Sequence, residues 1–111
     1  MEELDLFLYA YDKKGELIDD TSDEITCIIL DQYIQDHNKD FYSIKTKKAY
    51  LKAAKDLAVE LIEFLKTTDY GTALAKHSEV YTVILTVEYV DGPYIEEWVV
   101  WDRKKKKLTI K

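Results

Sequence analysis

The sequence predicts an α+β fold: a single domain with a mainly antiparallel sheet, two helices packed on one face, and the element order β-β-α-α-β-β-β. Three stretches carry that expectation. From Lys47 to Lys66, residues Tyr50, Leu51, Ala53, Ala54, Leu57, Ala58, Leu61, Ile62, Phe64 and Leu65 share one half of a helical wheel, and only Ala49 and Val59 stray from it. An apolar arc that wide needs two neighbours, a sheet and a second helix. Leu4–Tyr11 and Val80–Val90 alternate at period two instead, which is the repeat of a strand.

Taken in order, Leu4, Leu6, Leu8 and Ala10 form one side of the first strand, and Asp5, Phe7, Tyr9 and Tyr11 the other. Asp12-Lys13-Lys14-Gly15 reads as a type I turn with Gly15 left-handed, returning Glu16–Ile18 as a short second strand. Thr21-Ser22-Asp23-Glu24 has the form of a capping box, so a helix from Ser22 to His37 follows, with Ile25, Cys27, Ile29, Leu30, Tyr33 and Ile34 facing inward. Because β-branched residues dominate Ile25–Leu30, a buried strand is the competing reading there.

Ser43 or Thr46 is positioned to cap the long helix. Its lysines, Lys47, Lys48, Lys52 and Lys55, precede its acids, Asp56, Glu60 and Glu63, opposite to the preference of the helix dipole. Asp31, Asp36 and Asp40 of the preceding helix and its exit are the expected counter-charges. Gly71 marks a helix stop followed by a loop. In the next strand Tyr81, Val83, Leu85, Val87 and Tyr89 should face the core. Asp91-Gly92 signals a two-residue hairpin that pairs Tyr89 with Tyr94, turns Trp98 inward, and sets Val99 and Trp101 on the outer face. Leu108–Ile110 is expected as a short final strand.

The 111 residues suit one domain, and 47% apolar with 34% charged content is ordinary for a globular chain. The single cysteine, Cys27, forms no internal disulfide and suits a reducing cytoplasm. The opening residues have no secretory pattern, and no apolar run approaches the roughly 18 residues of a membrane span. Neither export by that route nor a membrane partner is expected. Residues 1–40 hold twelve acids against three lysines, whereas residues 41–111 hold thirteen bases against ten acids. The net charge of −6 therefore divides as −9 and +3.

No catalytic, cofactor-binding or metal-binding signature is present. Cys27 sits among Ile25, Ile28, Ile29 and Leu30, where a thiol is expected to be an inert core residue. Asp31, Asp36, His37 and Asp40 match neither an EF-hand nor a zinc spacing. Adjacent strand residues Glu96 and Glu97 point to opposite faces and cannot act as one carboxylate pair. Arg103–Lys107 reads as a solvated tip that protects a sheet edge, and the overall negative charge opposes direct nucleic-acid contact.

Two features remain. The outer sheet face carries Phe7, Tyr9, Tyr11 and Trp101, more aromatic area than solubility explains. Glu16, Asp19, Asp20, Asp23 and Glu24 form an acidic block at the corner between hairpin and helix, of which capping accounts for Asp23 and Glu24. The expected function is that of a small acidic non-enzymatic cytosolic binding protein. It would inhibit a protein partner with a basic surface, as antitoxin, immunity or phage-encoded inhibitors of nucleic-acid enzymes do, acidic mimicry included. The alternative is a homo-oligomeric module, such as a homodimer, closing on its aromatic sheet face. A pocket between the long helix and the sheet would favour a small-molecule binder instead.

Overall fold

A computed structural model describes residues 3–67 and 77–103. Its elements are β1 (Leu4–Tyr11), α1 (Asp19–Ile25), a π-helical stretch (Thr26–Asp31), α2 (Gln32–Asp36), α3 (Lys47–Thr67), β2 (Thr82–Tyr89) and β3 (Tyr94–Asp102). The three strands form one antiparallel sheet in the order β1-β2-β3. The fold is α+β, as the sequence leads one to expect. Gly71 and Leu108–Ile110 lie outside the described residues.

Alternation dictates what the sheet buries. Leu6, Leu8 and Ala10 of β1 lie opposite Val87, Leu85 and Val83 of β2, and all six are buried. Trp98, paired with Leu85, joins them. Against this face pack Ile25, Ile29, Leu30 and Tyr33 from the first helical rod, and Tyr50, Ala54, Leu57, Ala58, Leu61, Ile62 and Leu65 from α3. The half-circle on α3 is thus occupied as its width requires. Exposed Val59 lies off it.

The turn at Gly15 forms as expected. Gly15 donates to the Asp12 carbonyl at 3.0 Å and takes φ +83°, which a glycine tolerates without the Cβ clash of other residues. The returning second strand shrinks to a single bridge between Tyr11 and Leu17. Helix begins sooner than the capping box implies, at Asp19, with Ile18 in the cap position and no side-chain cap bond.

Thr21 and Ser22 consequently lie inside the helix and are buried. The Ser22 hydroxyl accepts the Ala10 N–H at 2.8 Å and donates to the Ile18 carbonyl at 2.7 Å. One turn on, the Thr26 hydroxyl accepts the Leu8 N–H at 3.1 Å and donates to the Leu8 carbonyl at 3.0 Å. A four-residue helical step of about 6 Å nearly matches a two-residue strand step of about 6.8 Å, so one helix face can serve alternate strand residues. These hydroxyls satisfy backbone groups that β2, on the other side of β1, cannot reach.

The β-branched run is therefore helical, with π geometry from Thr26 to Asp31. Cys27 and Ile28 face outward and are exposed, so Cys27 is not the core residue the sequence suggests. The rod ends at Asn38, whose φ of 53° is a common helix stop. Thr46 caps α3 through the Ala49 N–H at 3.1 Å, whereas Ser43 bonds Asp40.

The reversed charges of α3 are resolved differently from the expectation. Lys39 reaches Glu60 at 2.7 Å, Lys52 pairs with Asp56 at 3.4 Å along the helix, and Lys47 lies 5.6 Å from the Tyr89 ring centre. Among the described residues no ion pair joins the leading lysines to Asp31, Asp36 or Asp40.

Candidate protein-binding face

The outer face of the sheet lies opposite both helices. Phe7, Tyr9 and Tyr11 of β1 sit across from Thr86, Ile84 and Thr82 of β2, and Glu97 and Val99 of β3 complete the surface. Phe7 and Tyr9 ring centres are 6.0 Å apart, and Tyr9 and Tyr94 are also 6.0 Å apart. Tyr94 also acts electrostatically on the Tyr11 phenol, so the two hydroxyls lie near one another and the row continues to Tyr11. Phe7, Tyr9 and Tyr11 are half-buried by one another, while Tyr94 is 53% exposed.

The central ring, Tyr9, is pinned. The Tyr9 hydroxyl donates to both carboxylate oxygens of Glu88 at 3.2 Å, and the Thr86 hydroxyl donates to the same group at 3.2 Å. Thr86 is fully buried although it sits on the outer face, because the aromatic layer covers it. Burial first, and the Glu88 charge second, push the Tyr9 phenol well above its ordinary range. For Tyr11 the causes are burial, then Tyr94 and Glu97. Both phenols are neutral donors around neutral pH, held beside carboxylates.

The sequence pattern does not single out Tyr94. Asp91-Gly92 suggests a two-residue turn, but Pro93 has no N–H with which to close that pair. The chain instead turns over Tyr89–Gly92, with Gly92 donating to the Tyr89 carbonyl at 3.1 Å, and Tyr94 falls opposite Glu88 on the outer face. The Gly92-Pro93 step was the available signal.

Trp101 does not join this face. The register shifts between Val83 and Ile84, so Trp101 pairs with core-facing Val83 rather than Thr82. Packed against the core, it lies 5.4 Å from the Arg103 guanidinium, which also bonds the Val80 carbonyl at 2.7 Å and the His77 carbonyl at 2.6 Å. Arg103 therefore ties the sheet end together rather than belonging to a free basic tip. Lys104–Lys107 lie outside the described residues.

Glu16, Asp19, Asp20, Asp23 and Glu24 are all exposed around the turn beside Tyr11. With the helix beginning at Asp19, it is Asp19 and Asp20 that occupy the first turn and meet the positive end of the dipole. The dipole thus accounts for the two acids that the capping box leaves unexplained. Asp23 and Glu24 lie one turn further along.

Among the described residues no group of three or more His, Cys, Asp or Glu is placed to hold a metal ion, and no helix is long and apolar enough to cross a membrane. In comparisons with known proteins, no family model, curated protein or solved structure matches the chain.

Proposed function

We propose that the protein is a non-enzymatic binding protein that occupies a basic surface of a protein partner, and so inhibits it, through the outer face of its sheet. The observation that carries this reading is the row of Phe7, Tyr9, Tyr94 and Tyr11, with Tyr9 pinned at its centre, on the face that neither helix covers. Aromatic side chains each bury roughly 150–250 Å² on contact, and rings already held in place lose little conformational entropy on binding. Glu88 and Glu97 among the rings, with the exposed acids beside Tyr11, favour a cationic partner and speed its approach.

The test is capture from the native host with wild-type protein and with a Tyr11→Lys, Tyr94→Lys variant, partners being identified by mass spectrometry. A partner held by the wild type, released by added salt and lost from the variant is the expected result. Unchanged capture by the variant eliminates the face. Concentration-dependent dimerisation of the wild type in sedimentation, abolished by the same substitutions, would assign the face to a second copy instead.

A further inference from the structure

At the end of β1 away from the acidic turn, helix and strand part company. Ser22, Thr26 and Leu30 follow at four-residue intervals, and the first two close the strand edge at Ala10 and Leu8 with their hydroxyls. The third is an apolar side chain and cannot do the same for Leu6. Instead the Leu6 N–H is taken by the Asp5 carboxylate at 2.8 Å. A cavity of about 870 Å³ opens there, between β1, the end of the helical rod, its exit loop and the start of α3.

The walls combine two chemistries. Leu30, Ile34, Phe41, Ile44 and Tyr50 supply an apolar lining, with the Phe41 and Tyr50 rings edge to face at 5.3 Å. Glu3, Asp5 and Asp31 supply three carboxylates, of which Asp5 and Asp31 interact. Burial, and next the charge of Asp5, raise the Asp31 carboxyl, so the two acids feel one another. Asp5 also helps raise the Tyr50 phenol, after the larger effect of burial. Among the described residues neither acid has an ion pair. Lys39 shares the cavity wall, but its ammonium is held by Glu60 at 2.7 Å.

We propose that this cavity binds an organic cation, its ammonium between Asp5 and Asp31 and its apolar body against Ile34, Phe41 and Tyr50. An ammonium relieves the repulsion between the carboxylates and gains from aromatic faces close by. An anion would add to that repulsion. A neutral apolar ligand would strip water from both acids without replacing it. A hard metal ion needs several converging oxygen ligands, and among the described residues no three His, Cys, Asp or Glu are grouped to hold one.

Phenethylammonium, 2-phenylethanol and 3-phenylpropionate, similar in size and different in charge, are the probes. They would be titrated into the full chain and followed by calorimetry and by heteronuclear NMR. The ammonium should saturate, with shifts concentrated at Ile34, Phe41 and Tyr50, while the alcohol and the acid bind at least tenfold more weakly. Asp31→Asn should weaken the ammonium by about 10- to 100-fold, the range for losing a hydrogen bond to a charged group. Equal binding of ammonium and alcohol, shifts elsewhere, or no saturation by the ammonium at millimolar concentration would overturn the site. That comparison of probes needs no variant, and it leaves the reading of the sheet face untouched.

Discussion

Single hydroxyls decide how the first helical rod meets the sheet. Thr26 both accepts from and donates to Leu8, so removing its oxygen while keeping its shape strands two backbone groups at once. Unsatisfied buried groups of this kind cost about 1–3 kcal/mol. Thr26→Val should therefore lower unfolding stability by about that amount, measured by urea denaturation, and Thr26→Ser should recover most of it. A neutral Thr26→Val would mean that water replaces the hydroxyl. This role was invisible in the chain. Ser22 and Thr26 read naturally as part of a helix start or a β-branched run, and nothing local reveals a strand edge lying alongside them.

Among the elements, strands were more legible than helix ends. Alternation placed Leu6, Leu8, Ala10, Val83, Leu85, Val87 and Trp98 on the core face, because a period of two leaves no freedom once one residue is assigned. The pairs Glu96–Val87, Trp98–Leu85 and Val99–Ile84 follow the expected register, which fails beyond the shifts at each end of the pairing, where Tyr94 and Trp101 change faces. Alternation cannot announce an inserted residue.

The helix start was misplaced because the Thr21–Glu24 pattern resembles a cap while the chain enters helix at Asp19. Asp19 and Asp20 should accordingly stabilise the rod through its dipole. Asp19→Asn combined with Asp20→Asn should cost about 0.5–2 kcal/mol at low ionic strength, less in high salt, and should slow the association of a basic partner at low salt. Fluorescence-detected unfolding at two salt concentrations checks the first part. A stabilised variant would mean that repulsion within the acidic block outweighs the dipole.

For the molecule as a whole, buried phenols set an alkaline limit. Tyr33 donates to Glu60 at 3.0 Å, and burial, then that hydrogen bond, raise it to about 12; Tyr9 and Tyr50 are raised as well. An unfolded tyrosine releases its proton near pH 10. Above that pH the folded chain holds protons that the unfolded chain loses, so stability is full below about pH 10 and falls as pH rises toward 12. Urea unfolding from pH 8 to 12 should show this decline, and Tyr33→Phe should make it shallower. A flat profile would show that the phenols are accessible in the native state.

The hydroxyl-sealed edge of β1 has a last consequence, for growth. A sheet extends by adding strands to a side with unspent backbone donors and acceptors. Here Ala10 has spent its N–H on Ser22 and its carbonyl on Ile18, Leu8 has spent both groups on Thr26, and the Leu6 N–H is spent on Asp5. Strand addition alongside these residues is blocked, which leaves β3 as the other border of the sheet. Two copies joined through β3 would each present to a third a border whose donors are spent from Leu6 to Ala10, which opposes growth of the pair into a fibre.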